Sequence, residues 1–258
     1  EGGLAAAELL VGDGNPSGKT VDTFAKSLDD YPSTYNFHES RDYVNYTDDI
    51  YVGYRYFETI PGAAEKVVYP FGYGLSYTTF DVETVSAGVV NSNCTSEANK
   101  LYAKVRVTNT GKFSGKEVVQ VYIAKPQGKL GKPAKELAAF EKTRELQPGE
   151  SQLMILTWEI NDMASYDDLG KVKKSAYVLE AGSYDIYVGT SVRDVTKADY
   201  SYILNRDVIT EQLSAKLVPT SLPKRMLADG SYEALPQSEP VDTDYSAIGN
   251  IDPSLTEA

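Results

Sequence analysis

Apolar and polar residues alternate in short segments along the second part of the chain, from Phe80 onward. Alternation with a period of two is typical of a β-strand that buries one of its faces. Glycine and proline residues between the segments indicate turns, and short strands at regular spacing predict an all-β sandwich. The predicted strands are residues 80–85, 101–107, 118–123, 152–158, 184–188 and, as an edge strand, 200–204.

Two positions within this sandwich carry more specific predictions. Ala181 and Gly182 lie between the apolar residues Leu179 and Tyr184, which predicts a hairpin turn there. Trp158 falls on a predicted strand, and a large aromatic residue on a strand favours packing in the core over stacking on a sugar.

The first 79 residues have a different pattern. A short apolar run at 4–11 predicts a helix, which Gly12 ends. Residues 20–24 are predicted to be extended, 28–48 are polar and irregular, and 50–57 have helical spacing. These residues contain too few sheet-forming segments to build a core of their own, so they predict an incomplete domain.

The end of the chain is rich in proline. We interpret residues 206–258 as a linker or a surface-wrapping tail, because each proline removes a backbone donor and prevents a regular element beyond Thr210. These residues are Pro219, Pro223, Pro236, Pro240 and Pro253.

An aromatic loop at residues 69–80 separates the two parts. Gly72 and Gly74 allow the backbone to turn sharply or to approach another surface closely. Phe71 and Tyr73 lie beside these glycines, and we predict that both pack at the border between the two domains. A new pattern of alternating strands begins where this loop ends.

Several motifs resemble one family. Residues 12–19, 51–57 and 69–77 resemble the end of the second domain of family 3 glycoside hydrolases, the β-glucosidase-like enzymes. Segments of the strand-rich part resemble the fibronectin type III-like domain that follows it in many of these enzymes. The resemblance implies a mixed fold, with the C-terminal part of an α/β sandwich at 1–79 and a fibronectin type III-like β-sandwich at 80–205. The segments are residues 109–122, 135–140, 146–150 and 187–191.

The resemblance also implies where catalysis occurs. Retaining glycosidases use two carboxyl groups about 5 Å apart. In the family the nucleophile is an Asp of a barrel domain, and the acid/base Glu lies upstream of the helix with which this chain begins. Neither matches a residue here, so we predict no catalytic residue in this chain. We interpret the available carboxylates as solvated charges or loop caps. They are Asp48, Asp49, Glu58 and Glu65.

We therefore expect the chain to be a non-catalytic portion of a retaining β-glucosidase-like hydrolase. It would complete the sandwich domain and stabilise the enzyme through the fibronectin-like domain, acting as a clamp. The predicted partners are the rest of the same enzyme, with its barrel, and a β-glucoside or oligosaccharide substrate; a homo-oligomer is left open. Tyr73 and Phe71 are the predicted substrate-binding residues, and Tyr73 is the better placed to reach the outer edge of a sugar site.

Two alternatives come from other functional classes. The chain could work alone as an accessory or carbohydrate-binding module, or it could be an adhesive β-sandwich. Residues 1–79 would be a broken domain in either case, which favours the enzyme portion. Residues 222–236 resemble the connector of a permuted subset of the family, so we expect the barrel to lie C-terminal to residue 258.

Charge and composition exclude other classes. The net charge of −12 and a pI of about 4.6 argue against a nucleic-acid partner. No run of about 18 apolar residues predicts a membrane span. The single cysteine, Cys94, favours a reducing compartment such as the cytoplasm over secretion without deciding between them. The single histidine, His38, cannot form a zinc site with cysteines, and no metal or other cofactor is predicted.

Overall fold

The structure is a computed structural model that describes residues 1–41, 43–90, 99–214 and 222–236. The predictions for Cys94 and for the chain beyond residue 236 lie outside these residues. The regular elements, in chain order, are α1 (Gly2–Val11), β1 (Phe24–Ala25), α2 (Tyr54–Phe57), β2 (Val67–Tyr69), β3 (Phe80–Val89), β4 (Lys100–Asn109), β5 (Val118–Ala124), β6 (Glu136–Lys142), β7 (Ser151–Glu159), β8 (Ser165–Asp167), β9 (Ala176–Leu179), β10 (Gly182–Gly189), β11 (Val195–Leu204), β12 (Val208–Gln212), β13 (Lys224–Met226) and β14 (Tyr232–Ala234). Short 3₁₀ turns lie at Leu28–Asp30, Pro32–Tyr35, Ala63–Lys66 and Asn161–Met163.

Two antiparallel sheets form the β-sandwich that the alternating pattern predicts. One sheet has the strand order β3-β4-β7, and the other has the order β11-β10-β5-β6. A smaller sheet, β12-β9-β8, adjoins them. All six strands predicted from the sequence are present, and β11, which contains residues 200–204, lies at a sheet edge as expected.

Alternate residues of strands β4, β5, β7 and β10 meet between the two large sheets and form the core. Burying each such side chain stabilises the fold by roughly 1.5–3 kcal/mol. Trp158 is one of these core residues, with 5% of its surface exposed, so the prediction of core packing is confirmed. The others on these four strands are Leu101, Ala103, Val105, Val107, Val119, Val121, Ile123, Met154, Leu156, Tyr184, Ile186 and Val188.

Strand β5 is buried on both faces. Val119, Val121 and Ile123 point into the core, while Gln120 and Tyr122 on the opposite face are also buried. A strand covered on both sides typically forms a nearly continuous apolar run, and residues 118–123 are apolar except for Gln120. The outer face of β5 is therefore where the first part of the chain packs on the sandwich.

The first part contains one full helix. Helix α1 ends at Gly12, whose left-handed φ of +85° closes it, as the sequence predicts. None of its residues is buried against the described chain, and Leu4, Leu10 and Val11 are exposed. Apolar side chains on a helix normally cover a sheet, so this helix presents a face that nothing described here covers.

Two elements predicted for the first part are shorter in the structure than the sequence indicates. Residues 50–57 do not form one helix, because Gly53 has a φ of +57° and α2 begins only after it. Tyr51 precedes that break and is buried in the loop before it. Of the extended segment predicted at 20–24, only Phe24 lies in a strand. That strand is β1, which pairs with β2.

The predicted hairpin at Ala181 and Gly182 is wrong. Strand β9 pairs with β8 and β12, whereas β10 pairs with β5 and β11, so the chain passes from one sheet to another at this point. The Ala-Gly pair resembles a hairpin turn in sequence, but long-range pairing decides which strands are neighbours.

The prediction that no regular element follows Thr210 is also wrong. Strand β12 extends to Gln212 and pairs with β9. Strands β13 and β14 form a short hairpin between Lys224 and Ala234. Its turn avoids the prolines, which lie outside the paired residues, and Gly230 in the turn has a φ of +83°.

Candidate functional site

The aromatic loop lies directly against the sandwich, as its position in the sequence predicts. The side-chain amide of Gln120 donates from Nε2 to Gly72 O at 3.3 Å and to Thr190 O at 2.7 Å. Tyr122 donates from its hydroxyl to Gln120 Oε1 at 2.5 Å. The backbone N–H of Val192 donates to Phe71 O at 3.1 Å. These bonds join the loop to β5 and to the turn after β10.

Gly72 is required by this contact. A β-carbon at residue 72 would lie 2.2 Å from Gln120 Oε1 and 2.7 Å from its Nε2. Its φ of +79° also belongs to the left-handed region that favours glycine. The loop can approach β5 this closely because residue 72 has no side chain.

Phe71 packs at the border, as predicted. Its ring lies 4.6 Å from the ring of Tyr54, which in turn meets Tyr122 edge-on at 6.2 Å. The three rings thus run from the aromatic loop through α2 to β5. Burial raises the pKa of the Tyr122 hydroxyl.

Tyr73 belongs to a different surface. Its ring stacks on Tyr69 at 5.2 Å, and Tyr69 meets Phe24 edge-on at 6.2 Å. Tyr73 O accepts the N–H of Thr20 at 2.7 Å. Tyr73 is half-buried, whereas Tyr69 and Phe24 are exposed, so the three rings form an aromatic row beside the two-stranded β1-β2 sheet.

Further polar contacts fasten the first part to the sandwich. Leu137 N donates to Tyr54 Oη at 2.9 Å, and Ala134 N donates to Thr59 Oγ1 at 2.8 Å. Lys19 forms an ion pair of 2.7 Å with Glu117. These contacts lie along the whole border, so the two parts meet over an extended surface.

Asn15 ties the loop at 12–19 to two other segments. Its Nδ2 donates to Ser114 O at 2.8 Å, and its Oδ1 accepts from Tyr77 N at 2.9 Å and Ser76 Oγ at 3.0 Å. Asn15 therefore contacts both the end of the aromatic loop and the sandwich, which explains why the loops at 12–19 and 69–77 occur together.

Two of the four carboxylates that the sequence offers, Glu58 and Asp49, have structural partners. Glu58 accepts from Arg193 Nε at 2.8 Å, which makes another contact across the border. Asp49 lies 3.8 Å from Arg225. Asp48 is buried, and this burial raises the pKa of its carboxyl. Glu65 lies exposed on a 3₁₀ turn.

Arg225 joins three segments of the chain. Its guanidinium contacts Glu233 at 2.7 Å on its own hairpin and Asp168 at 2.9 Å on the sandwich. Asp49, in the first part, lies at 3.8 Å. The next residue, Met226, is buried and donates its N–H to Thr47 O at 2.8 Å. The hairpin is thus fastened to both parts of the molecule.

No metal-binding group of three or more His, Cys, Asp or Glu side chains occurs in the described ranges. His38 is exposed and its ring lies against Phe37, with 3.6 Å between the ring centroids. In the same ranges, no helix has the length and apolar character needed to cross a membrane.

Comparison with known proteins assigns both parts. Residues 1–77 match the model of the glycosyl hydrolase family 3 C-terminal domain, and residues 117–192 match that of the fibronectin type III-like domain. The chain belongs to glycosyl hydrolase family 3. It contains the C-terminal-domain and fibronectin type III-like region of these enzymes, and both resemblances stated from the sequence are confirmed.

Family 3 relatives match most of the chain. β-Glucosidase A of Butyrivibrio fibrisolvens is 63% identical over 256 residues, which cover 96% of this chain and 31% of that protein. A β-glucosidase of Ruminococcus albus is 43% identical over 92% of this chain and 24% of its own length. The solved β-glucosidase from Paenibacillus barengoltzii is 46% identical, with a TM-score of 0.80 over 92% of this chain and 27% of that structure. The chain thus spans about a third or less of the length of these relatives.

Sequence reasoning found the aromatic loop of this family 3 chain but missed the groups that receive it. Gln120 is the main one, and a polar residue within the apolar run 118–123 was the available signal. Arg225 was missed because it lies in a segment interpreted as irregular. Val192 and Ala134 contribute backbone N–H groups, and the sequence gives no indication of which backbone groups form such contacts.

Proposed function

We propose that this chain is the non-catalytic portion of a retaining β-glucosidase-type hydrolase. In this role residues 1–79 complete the α/β sandwich domain, and the fibronectin-like sandwich holds that domain in shape. The observation that carries the proposal is the buried hydrogen bond from the Gln120 amide to Gly72 O, across the border between the two parts. It makes the aromatic loop part of the sandwich surface.

The exposed face of α1 supports the same role. Leu4, Leu10 and Val11 lie uncovered on a helix within the residues that match the family 3 C-terminal domain. Burial of such residues is favourable by roughly 1.5–3 kcal/mol each, so a covering layer is expected. We propose that the rest of the same enzyme supplies it, and that the enzyme acts on a β-glucoside or oligosaccharide.

One experiment separates a supporting role from a catalytic one. In the natural full-length polypeptide, Gln120→Ala removes the amide that bridges Gly72 and Thr190, which costs about 1–3 kcal/mol. We expect a lower melting temperature, with an unchanged kcat for an aryl β-glucoside at a temperature where the variant is folded. Exposed Gln147→Ala is the matched control and should change neither. A fall in kcat without a fall in melting temperature would contradict the proposal.

The absence of a catalytic pair is tested on the fragment. Purified residues 1–258 should not hydrolyse an aryl β-glucoside, since neither family carboxylate is matched in this chain and loss of either removes most of the rate. Turnover that disappears on replacing one carboxylate within the fragment would show that the assignment is wrong.

We also propose Tyr73 as the residue of this chain nearest to the substrate, with Phe71 behind it as packing. Tyr73 has a half-exposed ring in an aromatic row, and such rings stack on sugars. In the full-length polypeptide, Tyr73→Ala should raise KM several-fold and leave the melting temperature nearly unchanged. Tyr69→Ala, which removes the ring that Tyr73 stacks on, should have a smaller effect. Equal KM values for wild type and Tyr73→Ala would exclude the contact.

A further inference from the structure

Five large side chains lie exposed close together in the first part of the chain. They are Tyr35, Phe37, Tyr43, Val44 and Tyr46, and between 41% and 77% of the surface of each is exposed. A single exposed apolar residue is ordinary, whereas a group of neighbouring ones marks a surface that binds another protein segment. We call these five residues the tyrosine patch.

Hydrogen bonds within the chain bring the members of the patch together. Asn36 donates from Nδ2 to Asn45 O and, at 3.4 Å, to Thr47 Oγ1. The backbone N–H of Asn45 donates to Glu39 Oε1 at 2.8 Å. The residues on either side of Asn36 and of Asn45 belong to the patch, so four of its five members are chain neighbours of one pair of bonded residues.

The patch is also fixed to its surroundings. Tyr35 donates from its hydroxyl to Asp29 O at 3.2 Å, which ties it to the 3₁₀ turn at Leu28–Asp30. Thr47, which follows the patch, accepts the N–H of Met226 at 2.8 Å. A surface that is ordered before it binds loses little conformational entropy on binding. The exposed rings are therefore already arranged for a contact.

Charge decides what kind of surface can cover the patch. The side chains of Asp29 and Glu39 are exposed beside it, and Arg41 is the only Lys or Arg between residues 28 and 50 of the sequence. In a symmetric dimer the same patch meets itself, which would bring these carboxylates together. Like charges that face each other oppose association. The patch therefore fits a surface with an apolar centre and basic residues at its edge, rather than a second copy of this chain.

The place of the patch in the chain indicates where that surface comes from. The patch lies within residues 1–77, which match the family 3 C-terminal domain and in which α1 is also uncovered. The chain spans about a third or less of the length of the relatives described above. Most of such an enzyme therefore lies outside residues 1–258 and can cover the patch.

We propose that the tyrosine patch is the docking surface for a part of the same polypeptide outside residues 1–258, and that this part presents apolar side chains edged by Lys or Arg. The proposal rests on the proposed function, because that function makes this chain one portion of a larger enzyme. It adds the place of the contact and the chemistry of the partner surface.

The test places a photo-cross-linker in the natural full-length polypeptide. Tyr46, with 75% of its surface exposed, is replaced by p-benzoylphenylalanine, and the protein is irradiated in the presence of cellotetraose. Cross-linked peptides are identified by mass spectrometry. We expect residue 46 to be joined to a peptide from outside residues 1–258, in a product with the mass of one polypeptide. A cross-link to a second copy, to cellotetraose, to residues 1–258 alone or to nothing would overturn the proposal.

An ordinary substitution at the same residue gives an independent readout. Tyr46→Ser removes the ring, so amides of the cross-linked partner peptide should exchange hydrogen at least ten-fold faster than in the wild type. Ile203→Ser is the matched control, because Ile203 is 64% exposed on β11 of the sandwich and its loss should leave that peptide unchanged. Equal exchange of the partner peptide in the wild type and in Tyr46→Ser would also refute the docking surface.

The charge of the partner surface is tested at Asp29. Asp29→Lys reverses an exposed charge beside the patch and should also speed exchange in the partner peptide, whereas Asp29→Asn should have a smaller effect. Exchange that Asp29→Lys leaves unchanged would contradict a basic partner surface. The Gln120→Ala experiment does not involve the patch, so the proposed function and this proposal can fail separately.

Discussion

Gly72 shows how a single missing side chain positions the border. Gln120, against which Gly72 packs, is 3% exposed and is held by Gly72, Thr190 and Tyr122. Its amide could move away from a new β-carbon only by losing these bonds. Gln120, as well as the backbone conformation of residue 72 itself, therefore determines which substitutions of Gly72 the fold tolerates.

Gly72→Ala should destabilise the protein more than a glycine replacement with equal backbone strain. Gly149 provides that comparison, since its φ is +80° and no described atom lies within 4 Å of a β-carbon placed there. Both variants lose about 1–3 kcal/mol from the strained φ. Gly72→Ala should lose about 1–3 kcal/mol more from overpacking, measured by thermal unfolding. Equal losses in the two variants would show that the Gln120 contact yields easily.

Asp167 is a second position where one side chain organises its surroundings. Its carboxylate accepts backbone N–H bonds from Gly170, Lys171, Val172 and Lys173, at 2.6–3.0 Å. Burial by itself raises the pKa of this carboxyl, but the four donors together lower the pKa below its ordinary value. The ionised form is thus stabilised in the folded protein.

Asp167→Asn should destabilise the fold in a pH-dependent way. The amide nitrogen would face N–H donors, and losing such bonds costs about 1–3 kcal/mol. A lowered folded-state pKa means that the stabilisation is present above the unfolded value, about 3.9, and is lost as pH falls through the folded value. The difference in melting temperature between wild type and variant should be largest near neutral pH and shrink below about pH 4.

The exposed Asp199 provides the control for this prediction. Asp199→Asn on β11 should leave the melting temperature unchanged across the same pH range. A difference for Asp167→Asn that stays constant down to acidic pH would mean that charge does not contribute to holding the loop.

The sequence predicts the role of a residue well when that role depends on the residue's own backbone conformation. It predicts the role poorly when that role depends on distant hydrogen-bond partners. Gly72 was singled out because glycine permits a close approach, and the approach is present. Gln120 and Asp167 were not, because their roles depend on backbone groups that only the folded chain brings to them. Substrate contact by Tyr73 stays a prediction.

Among the elements, the β13-β14 hairpin depends most on contacts with the rest of the molecule. Its two strands are short, and a lone hairpin of this length is marginal in water. Arg225 and Met226 provide the additional stability, through ion pairs to Asp168 and Asp49 and through burial. The hairpin is therefore stable only while it is docked.

Arg225→Ala should release this hairpin without unfolding the rest. The amide of Met226, bonded to Thr47 O, should lose hydrogen-exchange protection by at least ten-fold, whereas amides of β5 should not. Lys224→Ala, which removes only a cation–π contact to Tyr232 at 4.4 Å, is the control. Unchanged protection at Met226 in Arg225→Ala would show that burial of Met226 suffices.

The elements also show where sequence patterns mislead. Strands β3, β4, β5, β7 and β10 were predicted because each alternates or forms an apolar run. The hairpin and β12 were missed because nearby prolines were given more weight than pairing. The turn at Ala181 was misassigned because the local sequence of a turn does not specify whether the strands on either side pair with each other.

For the whole molecule, the polar border predicts that both parts unfold together. Removing one acceptor by Tyr54→Phe leaves Leu137 N unpaired at the border, which costs about 1–3 kcal/mol. Hydrogen exchange should rise by a similar factor in peptides from residues 1–77 and from 117–192. Tyr166→Phe, whose ring is partly exposed and lies 5.4 Å from that of Tyr177, should leave both regions unchanged. A rise confined to residues 1–77 would indicate two independent units.

The architecture was largely predictable because both parts follow patterns of general physical origin. The mixed fold, with part of an α/β domain before a β-sandwich, is confirmed. Only one side of the border was predicted from the sequence. The aromatic loop was identified, but the face of β5 on which it packs was not. The partners of Gln120 could not be predicted, because Gly72 and Thr190 lie 48 and 70 residues away from it along the chain.

Because much of the border is formed by backbone atoms, a β-sandwich could be exchanged between family members with few changes at this contact. Phe71 and Gly72 offer carbonyl groups, and Val192 offers an N–H, so most of this contact does not depend on which side chains are present. A sandwich transplanted from another family member would need an amide side chain at the position of Gln120 and little else at this point. Recombination at the aromatic loop is therefore a route by which members of this family can exchange the sandwich while keeping the domain that precedes it.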